Sequence, residues 1–194
     1  MNELSSLLEL LGMLFSNPRY SLLFVLLLIA SVSDCRHYKI PNWLTFGGSA
    51  FALIYSAFIP FSPQLGFGWA LGGFALGLSL MLPLYMLGMM GAGDVKLMAM
   101  VGAFLGMTDT LYAVLFVFVS GGLAALAYAL WHQSLVRMLG NIKRSMESML
   151  LSAMGGLRPQ MPTSSGDSIG KLPYAVSIAL GTTVFLIANQ LGYV

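Results

Sequence analysis

The chain has 194 residues, 58% of them hydrophobic and only 8% charged, with a mean hydropathy of +0.84. A soluble domain carries roughly a quarter charged residues, so this chain cannot coat a water-facing surface, and it is too apolar for disorder. A formal net charge of +2 leaves no electrostatic footprint for nucleic acid. One cysteine, Cys35, excludes an internal disulfide framework and, with two histidines, argues against a structural zinc site. The composition is that of an all-α polytopic membrane protein, for which we expect about six transmembrane helices plus amphipathic interfacial helices.

In chain order, residues 1–19 come first. Leu4, Leu7, Leu8 and Leu11 share one helical face, with Glu3 and Glu9 largely away from it. That pattern predicts an interfacial helix, and the absence of a basic start and a small-residue cleavage site speaks against a secretory signal. Six apolar stretches then approach the ~20 residues a helix needs to cross the hydrocarbon: 20–33, 42–59, 66–87, 94–107, 110–131 and 172–191. Pro18, Pro41, Pro60, Pro63 and Pro173 punctuate their ends, and Pro83 should kink the third. The pairs Gly68/Gly72, Gly73/Gly77 and Gly102/Gly106 have the spacing that permits close helix packing. Residues 134–151 repeat with a basic amphipathic helical period, which reads as a helix on anionic lipid, and 152–170 read as a loop. The expected divisions are an N-terminal segment 1–19, a five-span core 20–131, a cytoplasmic helix and loop 132–170, and a last span 171–194.

Orientation follows from the basic residues. With six spans and the N-terminus outside, Arg36, Lys39, Lys96, Arg137, Lys143, Arg144, Arg158 and Lys171 all fall inside, eight of the nine Lys/Arg. Only Arg19 remains outside, so both termini are expected to be extracytoplasmic.

Acidic residues near a membrane core need a reason. Asp34 ends the first span and Asp94 begins the fourth. Arg19 to Asp34 and Asp94 to Asp109 are both fifteen-residue intervals, roughly 22 Å at 1.5 Å per residue. If Arg19 and Asp109 mark the outer boundary, Asp34 and Asp94 lie at one depth near the inner face. Taken singly, Asp34 could be a polar flank and Asp94 an N-cap. As a pair they suit a shared-proton site, in which one acid accepts a proton from water while the other polarises a peptide carbonyl. That chemistry is aspartic peptide hydrolysis and needs no metal and no cofactor. Two rival readings stay open: an intramembrane-cleaving aspartic protease, and a small proton- or cation-coupled transporter.

The strings around both acids are specific. Asp34-Cys35-Arg36-His37-Tyr38-Lys39-Ile40-Pro41-Asn42 and Gly91-Ala92-Gly93-Asp94-Val95-Lys96-Leu97 resemble the two active-site motifs of the type IV prepilin leader peptidases. The Lys171-Leu172-Pro173-Tyr174-Ala175 opening of the last span is also similar. The resemblance implies an enzyme of the bacterial inner membrane that removes a short basic leader from prepilin or pseudopilin substrates at the cytoplasmic face. It implies Asp34 and Asp94 as the catalytic pair. Without the N-terminal methyltransferase region and four-cysteine cluster of longer members, the chain looks like the short, protease-only form of the Flp or tight-adherence type.

The remaining motif residues carry two readings each. Arg36 and Lys39 fit topology anchors or substrate contacts. Gly91 and Gly93 fit close approach of a bound peptide or a tight turn, and Lys96 fits snorkelling or tuning of the acids. Ile40, Pro41 and Asn42 start the second helix, with Pro41 disfavouring α conformation at Ile40. Cys35 and His37, two apart, do not face each other on a helix and make a poor nucleophile–base pair. Asp109 lies at the opposite end, and Asp167 reads as a solvated loop carboxylate. The helix dipoles favour charge on Asp94, at a helix N-terminus, over Asp34, near a C-terminus. Residues 132–170 would flank the cytoplasmic mouth, and the lipid bilayer is the other expected partner.

Overall fold

A computed structural model describes residues 17–59, 66–86, 90–131 and 173–192. The expectations for residues 1–16, Pro60 and Pro63, the 134–151 helix, the 152–170 loop with Asp167, and Lys171 lie outside the described residues. Those residues form six helices: α1 (Pro18–His37), α2 (Asn42–Phe58), α3 (Phe67–Met86), α4 (Ala92–Leu105), α5 (Met107–Trp131) and α6 (Tyr174–Gln190). The described chain is all-helical, and each helix coincides with an apolar stretch of the sequence to within a few residues at either end.

Local chemistry sets the ends. Pro18 occupies the first turn of α1, where its missing N–H is not needed, and the Asn17 side chain accepts from the Arg19 N–H. Pro41 caps α2 and Pro173 caps α6. Pro83 lies inside α3, which runs past it to Met86. Three helices are long and apolar enough to cross a membrane: α1, α3 and the Met107–Ala127 part of α5. α6 is apolar but shorter, and α2 and α4 are shorter still or less apolar. The protein is a polytopic membrane protein of helices.

α4 is the organising element. Its fourteen residues span about 21 Å, and it packs against all five other helices. From Leu97 to Leu105 every residue is buried, as a helix that is hydrophobic all round should be. A helix sheathed by protein has no need to match the bilayer thickness. Phe104 stacks on Phe51 of α2 at 6.4 Å between ring centroids, and Phe51 on Tyr55 at 5.6 Å.

Of the glycine pairs, Gly73, Gly77 and Gly102 make the close approaches. A β-carbon at Gly73 or at Gly102 would run into the other's backbone carbonyl, and one at Gly77 would come within 2.6 Å of the Met98 carbonyl oxygen. Gly68 faces open space. Spacing alone cannot say which face of a helix meets a neighbour. Gly106, at φ +81°, turns α4 into α5 and leaves room for the Trp69 indole against its α-carbon.

Arg19 is 2% exposed and lies inside the bundle. Nη2 donates to Ser56 Oγ, and the guanidinium lies 4.9 Å from the Trp69 ring centroid and 5.5 Å from that of Tyr55. It therefore pins α1 to the end of α2 and the start of α3. Among the described residues its Nε and Nη1 have no hydrogen-bond partner, so much of the gain from its charge is offset by desolvation. Packing volume should dominate. Arg19→Ala is expected to cost about 2–4 kcal/mol, and Arg19→Met, which keeps the volume, under about 1.5 kcal/mol. Thermal unfolding of the purified variants checks this; a methionine variant as unstable as the alanine one would show that the charge matters more.

Candidate active site

The chain runs up and down, so the end of α1 and the starts of α2, α4 and α6 meet at one end of the bundle. Four short structures join them there. Tyr38, with φ 50° and ψ 37°, ends α1 in the left-handed region while its N–H donates to the Asp34 carbonyl at 2.8 Å. Ser33 Oγ donates to the Lys39 carbonyl at 2.8 Å and closes the corner. Lys96 Nζ donates to Asn42 Oδ1 at 3.0 Å and lies 5.1 Å from the Phe46 ring centroid. Ile40 packs over Gly93, where a β-carbon would come within 3.3 Å of the isoleucine Cβ. The two motif strings of the sequence thus touch each other directly.

Asp34 belongs to the buried stripe Arg19, Leu23, Leu27, Ala30 and Asp34 of α1. This stripe repeats every three or four residues, so the acid rides on the same face as the leucines and points into the bundle. It is 7% exposed, and its Oδ2 accepts the Ala175 N–H at 3.0 Å. Asp94, also 7% exposed, is the third residue of α4, with Gly91 rather than Asp94 in the capping position. Its Oδ2 accepts the Gly91 N–H at 3.0 Å, so the side chain reaches back to cap the helix from inside. Both carboxyls thus sit at one end of the bundle, Asp34 against the first turn of α6 and Asp94 against the turn before α4.

The sequence argument separated the acids by helix dipole. That asymmetry loses its basis. Asp34 does sit in the last turn of α1, but it also takes an N–H from the first turn of α6, so each acid lies at a helix N-terminus. The signal available in the sequence was the Pro173-Tyr174-Ala175 opening of the last span; which side chain its free N–H groups meet is a contact across 141 residues of chain.

The other candidate residues divide cleanly. Arg36 and Lys39 are exposed, as are Cys35 and His37. Lys96 donates to Asn42 and so bridges the starts of α4 and α2. Pro41 shapes the start of α2. Gly93 makes its close approach to Ile40 of the same chain and not to an open groove, while Gly91 lies exposed in the turn before α4. Asp109 begins α5 at the other end, where it feels Tyr20 beside Arg19. Among the described residues no three His, Cys, Asp or Glu side chains gather to hold a metal ion.

Two acids buried at one end of a membrane bundle, each braced by one backbone N–H and flanked by exposed cations, form an arrangement suited to acid–base chemistry on a polar bond. Neither a curated protein nor a solved structure matches the chain. A family match does exist, and it spans both acids and the helices that carry them. Over residues 21–126, more than half of its length, the chain matches the type IV leader peptidase family, and it belongs to that family.

Proposed function

We propose that this protein is an aspartic endopeptidase that removes the short basic leader from type IV prepilins of the Flp or tight-adherence type at the cytoplasmic face of the inner membrane. Asp34 and Asp94 are its catalytic pair. The observation that supports the reading is that two carboxyls on different helices are buried at one end of the bundle, in a chain of the type IV leader peptidase family. Two nearby carboxyls do not both ionise cheaply, so they hold one proton between them.

Hydrolysis follows from that shared proton. The ionised acid accepts a proton from water as the water oxygen bonds to the scissile carbonyl carbon, and the protonated acid donates to the carbonyl oxygen. The tetrahedral intermediate then collapses: the C–N bond breaks, its electron pair goes to nitrogen, nitrogen takes the proton just acquired from water, and the proton on the former carbonyl oxygen returns to the acid that donated it. The pair finishes with one proton, as it began. Because one acid must be charged and the other neutral, the rate is expected to fall at both pH extremes. N-methylation of the product forms no part of this reading.

Leader removal is tested by co-expressing the protein with candidate prepilins and measuring the mass of the pilin N-terminus. Intact leaders on every candidate in a well-expressed strain would count against it. The orientation has its own test. Cys35 is exposed one residue from Asp34, and Arg36, Lys39 and Lys96 cluster at that end, which supports a cytoplasmic location. A membrane-impermeant maleimide should label Cys35 only from the cytoplasmic side of inverted vesicles; labelling from the outside of intact spheroplasts would reverse the topology.

A further inference from the structure

Two serines hold the first turn of α6, and one of them also stands beside an acid. Ser31 of α1 and Ser120 of α5 are each half-buried. Ser31 Oγ lies 2.8 Å from the Leu27 carbonyl oxygen of its own helix and 3.3 Å from that of Ala175. Ser120 Oγ lies 2.9 Å from the Val117 carbonyl oxygen and 2.8 Å from that of Ser177. Each hydroxyl thus shares its one hydrogen between its own helix and α6. Ser31 precedes Asp34 by three residues, about one turn along the same side of α1. The two side chains grip Ala175 at both of its backbone groups: the carbonyl accepts from Ser31, and the N–H donates to Asp34 Oδ2 at 3.0 Å. That N–H is available because the first four N–H groups of a helix have no partner within it.

The two acids differ in what fixes their donors. Asp94 takes the N–H of Gly91, three residues earlier in the same turn, so local chain geometry sets it. Asp34 takes an N–H from a different helix, 141 residues along the chain, and only contacts between helices can set that. We propose that Ser31 is a positioning residue for the peptidase reaction: by holding the Ala175 carbonyl it keeps the Ala175 N–H on Asp34 Oδ2, and so fixes the carboxyl whose Oδ1 exchanges protons with water and substrate. Among the described residues Oδ1 takes no hydrogen bond, so the brace leaves it open for that role. The inference rests on the aspartic-pair reading and adds no proton to its balance. Proton transfer needs the two heavy atoms within about 2.6–3.2 Å of each other, and a carboxyl that swings about its Cβ–Cγ bond holds that distance for less of the time.

The test is full-length enzyme in detergent cutting a prepilin, with kcat, KM and melting temperature measured for each variant. Ser31→Ala is expected to lower kcat about 3- to 10-fold with KM nearly unchanged, the effect of one hydrogen bond of ordinary net strength felt in the transition state. Ser31→Thr keeps the hydroxyl and should keep the wild-type kcat. Ser120→Ala removes the same kind of grip on α6 at a point that touches neither acid. It should lower the melting temperature about as much as Ser31→Ala does and leave kcat as in wild type. Wild-type kcat for Ser31→Ala, or an equal loss of kcat in both alanine variants, overturns the role of Ser31, because the serines would then merely hold α6. If Ser31→Ala fails to fold, a backbone ester at 175, with lactate in place of Ala175, decides. It deletes the N–H and keeps the shape, so kcat should fall about 10- to 100-fold, as for a hydrogen bond to a charged group; an unchanged kcat would overturn the proposal. Asp34→Asn and Asp94→Asn in the same assay report on the acids separately. Inactive, they leave the pair standing whatever Ser31 does; active, they overturn the pair itself.

Discussion

Asp34→Asn and Asp94→Asn are each expected to abolish leader removal while leaving the bundle folded and inserted. Asparagine has nearly the volume of aspartate, and its side-chain oxygen can still accept the N–H that braces each position, from Ala175 at 34 and from Gly91 at 94. The hydrogen bonds that hold the site together therefore survive. The shared proton does not, because an amide neither accepts a proton from water nor donates one to a carbonyl at any accessible pH. On the proposed mechanism each acid both gives and takes a proton in every turnover, so either loss should cost at least the ~10⁴-fold upper range of acid–base catalysis. The effects should not add in the double variant, since two members of one proton-sharing unit fail together. Mass measurement of co-expressed prepilin gives the activity, and circular dichroism with thermal unfolding shows whether the fold persists. Cleavage near the wild-type rate by either single variant would remove the aspartic mechanism, even though the family assignment would stand.

The helices and the two acids were legible because both depend on local or one-dimensional information. Apolar length places a helix, proline and glycine place its ends, and counting residues from Arg19 and Asp109 puts Asp34 and Asp94 at one level. What escaped depends on which faces meet. α4 reads as one span among six, although a fourteen-residue helix apolar on every side is better suited to the centre than to the lipid boundary. Arg19 reads only as the one basic residue on the outer side, and no local signal shows that Ser56 and Tyr55 of α2 and Trp69 of α3 cover it. Lys96 reads as snorkelling or as tuning the acids and Asn42 as part of a helix start, and no local signal joins them across 54 positions. The N–H of Ala175 is invisible to any reading of side chains, because a backbone group has no letter of its own.

Gly102→Ala should be the most damaging change outside the acids, because the contact it disrupts lies between two backbones. The Gly102 and Gly73 α-carbons face each other, each against the other's carbonyl. A methyl group at either position cannot be absorbed by a side chain rotating away; a whole helix has to move. α3 cannot slide past the clash, since Gly77 meets the Met98 carbonyl about one turn further along, nor can α4 retreat, since every other side of it is occupied. The intrinsic gain from replacing glycine in a helix, about 0.5–1 kcal/mol, is smaller than overpacking costs of about 1–3 kcal/mol, occasionally more where backbone must shift. The variant is expected to unfold on the order of 5–10 °C below wild type. Its cleavage rate should fall too, because α4 carries Asp94. Gly68→Ala is the matched control on α3: nothing lies within 4 Å of its added methyl, so only the propensity gain remains and stability should hold or rise slightly. Equal melting temperatures for Gly102→Ala and Gly68→Ala would mean that α3 and α4 do not meet at these glycines, and the central position of α4, on which the placement of Asp94 depends, would have to be redrawn.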